Sequence, residues 1–249
     1  MKCAVITPIG PGHEALYQEC AASVSAASRF SDGPFDEILT ITADDTQGLR
    51  GRSAARNEAV RVARDNGIDW LFFLDADDIM FEDAFEAVRD YVDRYDAIWG
   101  NIAELAPGSD RITMRLPQIL TLESITELVL FDPFITLQMG HFVRTEAAAD
   151  TPFDETMDTG EDFDYYVRLW SRYRCIKIPR HLFLNRRGLH SAGPKAADGQ
   201  QWRGAAEGVI KRYLEAQGID PNSAENVRIK EAKFAELSKF LEGLKQQST

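Results

Sequence analysis

The chain of 249 residues is long enough for one large α/β domain, or for one domain with a short appendage. Its 44% hydrophobic and 27% charged residues are close to globular averages and indicate no disordered class. A net charge of −12 argues against nucleic acid as a partner, because an acidic protein repels phosphates.

The first apolar segment, at residues 2–7, ends at a proline and glycines, which favours a buried strand over a signal peptide. No apolar run approaches the ~20 residues of a transmembrane segment. The three cysteines are far apart and predict neither a disulfide framework nor a zinc cluster. We therefore expect a cytoplasmic protein, with a peripheral position at the inner face of the membrane as the alternative.

The first half of the chain alternates strands and helices. Apolar segments predict strands at residues 2–7, 35–42, 70–74 and 97–100. Helical spacing of apolar residues predicts helices at about 13–28, 53–66 and 82–95. The unbroken apolarity of Trp70–Leu74 is typical of a central strand buried on both faces. This order predicts an α/β fold with a mostly parallel central sheet flanked by helices, whose ligands bind at the carboxyl ends of the strands.

The second half is less regular. Its patterns predict helices at 121–130 and 161–172, strands at 136–144 and 175–178, and a loop at 188–201. We expect a catalytic domain at residues 1–205 and a C-terminal helical extension at 206–249.

A helical tail from about Ala224 places apolar residues on heptad a and d positions, namely Val227, Phe234, Leu237, Leu241 and Leu244. Fewer than three heptads, one of them interrupted by Lys230, favour a helix that packs on its own domain. A homodimer through this helix is the alternative.

Three carboxylates directly follow the predicted strand at 70–74. Asp75, Asp77 and Asp78 repel one another, and an ionised carboxylate near the interior is costly. A divalent cation removes both penalties, and Mg²⁺ or Mn²⁺ binds one or two carboxylates together with substrate phosphates. The pattern therefore indicates a metal site that holds the diphosphate of a nucleotide-linked donor.

The acidic segment fits three alternative roles less well. Asp78 is expected partly to help start the following helix, because acids are favoured there. A calcium EF-hand loop is disfavoured by Ile79 and Met80, where an oxygen ligand and a glycine are required. An aspartyl phosphatase usually carries its Asp-x-Asp on the first strand, whereas this one follows a later strand.

Two more features indicate chemistry. Glu161 and Asp162 begin a predicted helix, where Asp162 either completes a capping box with Thr159 or serves as a general base for an attacking hydroxyl. Between residues 168 and 187 the chain carries seven basic residues and no acid, namely Arg168, Arg172, Arg174, Lys177, Arg180, Arg186 and Arg187. This basic segment indicates either an anionic partner or a solvated surface, and both interpretations stay open.

Three segments together resemble family 2 glycosyltransferases of the GT-A fold: Gly51–Asn57, Trp70–Asp78 and Thr159–Asp164 with the following Arg168-Leu169. Their order and separation match that family, and the resemblance covers about residues 1–190. It departs after the second strand, where Asp45-Thr46-Gln47-Gly48 stands in place of the common Gly-Ser, so the contact with the nucleotide base stays open.

The resemblance implies roles for individual residues. Asp162 is the catalytic base, and Glu161 lies beside it in the acceptor site. The metal ligands are Asp77 and a late-loop histidine, His190, with Arg186 and Arg187 as the alternative groups that close over the diphosphate. The remaining donor-binding residues are Thr7, Pro8, Asp44 or Asp45, Arg52, Arg56, Asn57 and Asp75.

The resemblance also implies an activity: a Mn²⁺- or Mg²⁺-dependent inverting glycosyltransferase. Its donor is a nucleotide sugar, with a UDP-sugar favoured, and its acceptor is a glycan, a lipid-linked molecule or a small molecule. A sugar-phosphate nucleotidyltransferase is disfavoured because the loop Pro8–His13 lacks arginine. A non-catalytic nucleotide-sugar-binding module has no need of the base Asp162.

Overall fold

A computed structural model describes residues 1–106, 108–115, 118, 120–131, 137–186 and 199–247. The strands are β1 Lys2–Ile9, β2 Glu37–Asp44, β3 Trp70–Phe73, β4 Ile79–Met80, β5 Ala97–Leu105, β6 Ile112–Met114, β7 His141–Arg144 and β8 Cys175–Arg186. The helices are α1 Glu14–Phe30, α2 Arg52–Asp65, α3 Ala84–Ala87, α4 Ile125–Leu130, α5 Thr145–Asp150, α6 Glu161–Arg172, α7 Gly199–Gln217 and α8 Ala224–Gln247.

Within the described residues the strands form one eight-stranded sheet in the order β2-β1-β3-β7-β5-β8-β4, with β6 paired to β5. Strand β1 is parallel to both β2 and β3, and β8 is parallel to β5. Strand β7 lies antiparallel between β3 and β5, and β4 and β6 are also antiparallel to their neighbours. The predicted α/β fold with a helix-flanked central sheet is confirmed. The sheet is mixed, since β1, β2, β3, β5 and β8 run in one direction and β4, β6 and β7 run in the other.

Alternate residues of the central strands enter two hydrophobic cores. In β3, Leu71 and Phe73 belong to the core that also contains apolar residues of α2, α5 and α6. Trp70 and Phe72 belong to the opposite core, with residues of α1 and α3. Burial on both faces explains why the sequence of this strand is apolar throughout.

Some element boundaries differ from the sequence predictions. The helix predicted at 82–95 is helical only at Ala84–Ala87, although Val88 and Val92 are buried as the spacing required. Successive turns follow, such as the bond from the Tyr91 N–H to the Val88 carbonyl. The strand predicted to stop at Pro179 continues to Arg186, because the β5–β8 ladder is irregular there and accommodates a residue without an N–H.

Further differences lie in the second half of the chain. The strand predicted at 136–144 is limited to His141–Arg144, with residues 132–136 outside the described part. The predicted loop at 188–201 lies outside it up to residue 198, and helix α7 begins at Gly199. Helix α5 and the short strands β4 and β6 were not predicted, because segments of two to six residues carry too little periodicity.

Helix α8 packs on the same chain through its apolar face. Leu237 is buried, and the Phe234 ring meets Phe131 edge-on with centroids 5.5 Å apart. Lys233 forms an ion pair with Glu127 of α4 at 3.4 Å. These contacts agree with the favoured interpretation of the tail, and the homodimer stays a proposal. The domain division at 205/206, which lies inside α7, also stays a proposal.

Crossing a bilayer requires a helix that is both long and apolar. None of the helices in the described parts of the chain combines the two properties to the necessary extent.

Two glycines offer a matched stability test. A Cβ on Gly33 (φ +59°) would lie 2.1 Å from the Phe85 carbonyl oxygen, whereas one on Gly67 (φ +65°) would meet nothing within 4 Å. Gly67→Ala should cost about 1–2 kcal/mol through its left-handed backbone alone. Gly33→Ala should cost a further ~1–3 kcal/mol, because Phe85 must also move. Urea denaturation measures both, and equal losses would contradict the predicted clash.

Candidate active site

A cavity of about 240 Å³ lies at the carboxyl ends of β1, β2 and β3. Its walls come from distant parts of the chain: the loop after β1, the loop after β2 with the start of α2, the acids after β3, residues 138–139, the segment before α6 with the start of that helix, and helix α7. It brings together eight of the predicted site residues, namely Pro8, Asp45, Arg52, Arg56, Asp75, Asp77, Glu161 and Asp162. The predicted ligand edge of the sheet therefore coincides with a real cavity.

Four predicted donor-binding residues do not line this cavity: Thr7, Asp44, Asn57 and Arg186. Thr7 is buried within β1, and Asp44 accepts a hydrogen bond from the Thr46 N–H at 2.9 Å. Asn57 exchanges hydrogen bonds with the backbone of Phe153, at 2.8 and 2.9 Å.

Arg186 is engaged away from the cavity. Its buried side chain pairs with Glu19 and donates to the Asp77 carbonyl. Arg187 and His190 lie outside the described residues.

Asp45 shapes the entrance to α2. Its carboxylate accepts the N–H groups of Arg50 at 2.9 Å and Gly51 at 2.7 Å. Gly51 has φ +82°, which only glycine adopts easily, and Arg52 begins the helix directly after it. The loop therefore holds the first turn of α2 against the cavity.

A buried ion-pair cluster joins α2, the end of β3 and the start of α6. The Arg56 guanidinium contacts Asp75 Oδ1 at 2.7 Å and Glu161 Oε1 at 3.4 Å. Arg52 Nη2 donates to the other Glu161 oxygen at 3.0 Å. Burial lowers the pKa of Arg56, but the charges of Asp75 and Glu161 outweigh it and raise that pKa above its ordinary value. Glu161 is thus held by two arginines.

Removing Arg56 should destabilise the fold strongly, because it leaves Glu161 and Asp75 without their shared buried cation. Arg56→Ala is expected to cost about 3–5 kcal/mol in unfolding free energy. Arg61 is the matched control on the same helix, since it is exposed and pairs with Glu58 and Asp65. Arg61→Ala should cause little measurable loss. Similar losses in both variants, measured by chemical denaturation, would contradict the importance of the cluster.

The three acids after β3 have different surroundings. Asp78 is buried and accepts hydrogen bonds from the Asn185 side chain at 3.1 Å and the Arg186 N–H at 3.0 Å. Burial, followed by the charges of Asp77 and Asp75, raises the pKa of Asp78 well above its ordinary value. The predicted helix-start role of Asp78 is wrong, because the next helix begins at Ala84. Asp78 instead connects the acidic turn to β8 through these hydrogen bonds.

Asp77 faces the cavity. Burial, and then the neighbouring Asp75 charge, raises the pKa of Asp77 to about 6, while His13 opposes the shift. Within the described residues, no side chain or backbone group apart from the N–H of Asp77 itself forms a hydrogen bond or an ion pair with this carboxylate. No group of three or more His, Cys, Asp or Glu side chains in the described ranges is arranged to hold a metal. A cation at Asp77 would therefore take most ligands from diphosphate and water, which suits Mg²⁺ or Mn²⁺.

Asp162 lies at the start of α6, opposite the arginines that hold Glu161. Its Oδ1 accepts the N–H of Phe163 at 2.9 Å and the indole N–H of Trp202 at 3.0 Å. Burial, and then the charge of Glu161, raises the pKa of Asp162 to about 6, and Trp202 opposes this rise. A carboxylate with a pKa close to neutrality is suited to accept a proton at physiological pH.

The capping box considered for this helix is not observed. Gly160 is the N-cap residue, with φ +76° and no side-chain cap. The Thr159 hydroxyl is buried without a hydrogen-bond partner among the described residues. A capping-box role for Asp162 is therefore not supported.

Several residues of the cavity wall were not predicted as site residues, and His13 and Trp202 are two of them. His13 precedes α1, and its Nε2 is buried with no hydrogen-bond partner in the described part of the chain. Trp202 lies at a position that the sequence assigned to the residues after a long loop. Neither residue belongs to a recognisable motif, so only the fold reveals that they meet the acids.

One family of known sequences accounts for half of the chain. The sequence model of the family described as Glycosyl transferase family 2 matches residues 23–147, which is 125 of 249 residues. None of the curated proteins matches the chain.

Solved structures of S. aureus TarS are similar in fold. Residues 1–349 of TarS with UDP-GlcNAc align with a TM-score of 0.62 and 14% identity, covering 86% of this chain and 67% of that one. The same TarS fragment with UDP aligns with a TM-score of 0.58 and 14% identity, covering 86% and 72%. A further TarS structure aligns with a TM-score of 0.57 and 16% identity, covering 75% of this chain but only 37% of TarS.

At these identities the structures establish the fold, which is the GT-A fold of nucleotide-sugar transferases. The family match covers half of the chain and includes β2, α2, β3 and the acidic turn that follows. The chain therefore belongs to glycosyltransferase family 2 and is a glycosyltransferase.

Proposed function

We propose that the protein is a metal-dependent inverting glycosyltransferase, which moves a sugar from a nucleoside-diphosphate donor to a hydroxyl acceptor. The observation that carries this proposal is that Asp77 and Asp162 line one cavity, although 84 residues separate them in the sequence. Sugar transfer needs charge stabilisation of a departing diphosphate and a base for an incoming hydroxyl. The two acids are placed to serve these separate needs.

The donor would occupy the part of the cavity beneath β1, β2 and α2. Pro8 and Asp45 border this part, and the first turn of α2 presents Arg52 and Arg56. Asp75 keeps one third of its side chain exposed beside Arg56 and would face the ribose or the sugar. The S. aureus TarS fragment binds UDP and UDP-GlcNAc, which supports a uridine donor here. The donor roles of Thr7, Asp44 and Asn57 remain proposals.

Asp77 would hold the metal. Its carboxylate faces the cavity, and its raised pKa reflects burial next to Asp75, a penalty that a cation would relieve. When bound, Mn²⁺ or Mg²⁺ supplies the positive charge that stabilises the departing nucleoside diphosphate. His190 stays a proposed second ligand, and Arg186 or Arg187 stay proposed alternatives for closing over the diphosphate.

Asp162 would accept the proton of the attacking hydroxyl. Attack on the anomeric carbon from the face opposite the leaving group inverts its configuration in one step. Holding donor and acceptor together supplies much of the acceleration. Glu161, held by Arg52 and Arg56, fixes the start of α6 and thereby the position of Asp162.

The acceptor and the cellular location of the enzyme are proposed only as broad classes. A glycan, a lipid-linked molecule and a small molecule all offer the hydroxyl that Asp162 needs. A cytoplasmic location, with a peripheral position at the membrane as the alternative, fits the cysteines and the acidic composition.

The test combines binding with product analysis. Thermal stabilisation is measured with a panel of nucleotide sugars, with and without Mn²⁺, and the best donor is then incubated with hydroxyl acceptors. We expect metal-dependent stabilisation, release of the nucleoside diphosphate and a product of inverted anomeric configuration by NMR. Retention of configuration would overturn the single displacement. Pyrophosphate release from a nucleoside triphosphate would favour a nucleotidyltransferase, and tight binding without turnover would favour a binding module.

A further inference from the structure

Trp202 is the one residue of α7 that reaches the cavity within the described part of the chain. Its indole Nε1–H donates to Asp162, with distances of 3.0 Å to Oδ1 and 3.2 Å to Oδ2. Its ring meets Phe163 edge-on, with centroids 5.5 Å apart. The contact joins α7 to the first turn of α6, about 40 residues earlier in the chain.

The position of Trp202 is defined by close packing of α7 on α6. A Cβ on Gly160 would lie 2.7 Å from the Ala205 side chain, so the two helices approach as closely as a glycine allows. Ala206 is fully buried between them. Because Trp202 lies one turn from these contacts, its indole is held against Asp162 by the fold.

The carboxylate of Asp162 faces both charged and neutral groups. Glu161 lies beside it on α6, and its negative charge favours the protonated acid. Arg52 and Arg56 of α2 favour the ionised form, and Tyr166 contributes a buried hydroxyl one turn along α6. Trp202 adds a neutral donor, which favours the ionised carboxylate without pairing it with a cation.

We infer that Trp202 is a positioning residue of the transfer reaction, whose indole N–H orients the Asp162 carboxylate towards the acceptor hydroxyl. Phe163 and Trp202 occupy Oδ1, and the longer contact to Oδ2 leaves that oxygen with capacity to accept the hydroxyl proton. The inference rests on the proposed role of Asp162 as base. It also makes α7 a part of the catalytic site.

The test replaces Trp202 by phenylalanine, which keeps an aromatic ring against Phe163 and removes the N–H. Loss of a hydrogen bond to an ionised group should lower kcat about ten- to a hundredfold and leave the KM for UDP-GlcNAc unchanged. The pKa of Asp162 should rise without this donor, so the acidic limb of the pH–rate profile should move up by about one unit. Rates are followed as UDP release from UDP-GlcNAc, with water or an active hydroxyl compound as acceptor.

Trp170→Phe is the matched control. Trp170 is buried in the core on the same helix as Asp162, and its indole N–H has no partner in the described residues. The same chemical change there should leave the acidic limb in place. If Trp202→Phe fails to fold, Trp202→3-benzothienylalanine keeps the shape of the indole and replaces only the N–H.

A Trp202 variant that is folded and has the wild-type kcat and acidic limb would overturn the inference. The same holds if Trp202→Phe and Trp170→Phe shift the limb equally. A failure of the proposed function gives a different result, because Asp162→Asn would then retain transfer. The two failures can therefore be distinguished.

Discussion

Asp162→Asn is expected to lower sugar transfer about 10²–10⁴-fold while donor binding persists. Asparagine keeps the Oδ1 that accepts the Phe163 and Trp202 N–H groups, so the start of α6 should be preserved. It cannot accept a proton from the acceptor hydroxyl. Initial rates of transfer and UDP titration followed by thermal stabilisation measure the two properties separately.

Asp164→Asn is the control on the same helix. Asp164 pairs with Arg168 at 2.7 Å and does not line the cavity. Its variant should keep transfer close to that of the wild type. Retained transfer in Asp162→Asn, or an equal loss in Asp164→Asn, would show that the base lies elsewhere.

The assignment of Asp162 as the base also predicts how the transfer rate depends on pH. The pKa of Asp162 is raised to about 6, by burial and then by Glu161, and only the ionised form can accept a proton. Transfer should therefore be full above this pKa and should be lost as the pH falls through about 6. A rate that stays constant down to about pH 4, near the ordinary pKa of an aspartate, would contradict the base assignment.

Asp77→Ala is expected to abolish the metal-dependent part of donor binding. At a donor concentration of about 100 times Kd, binding should stabilise the wild-type protein by about 2.7 kcal/mol, and the variant should lose this gain. The fold of the free protein should survive, because Asp77 forms no ion pair in the described structure and its neighbour Asp75 repels it. Thermal unfolding with UDP, with and without Mn²⁺, measures the difference.

Asp83→Ala provides the comparison for this measurement. Asp83 lies close in sequence, but its carboxylate pairs with Arg180 at 2.7 Å on an exposed surface away from the cavity. Its variant should bind UDP and metal as the wild type does. Donor binding that is indifferent to Mn²⁺ in the wild type, or unchanged in Asp77→Ala, would remove the metal role.

Much of the scaffold could be predicted because its signals are local. The apolar segment Trp70–Leu74 is buried on both faces, and the helix predicted at Glu161–Arg172 has these same bounds in the structure. The rule that ligands bind at the carboxyl ends of strands then placed Asp75 and Asp77 at the cavity. By contrast, the path of β8 past Pro179 depends on an irregular pairing with β5 that no local pattern encodes.

The acidic segment shows where the sequence alone stops being informative. Adjacent carboxylates after a buried strand were sufficient to indicate a charged ligand site and, with the other motifs, a glycosyltransferase. Only the tertiary structure separates their surroundings, since Asp75 pairs with Arg56, Asp78 is bound by β8 and Asp77 faces the cavity. Likewise, Trp202 meets Asp162 only because α7 packs on α6. Residue types and spacings determine which chemistry is available, but contacts between distant segments decide which atoms are free to perform it.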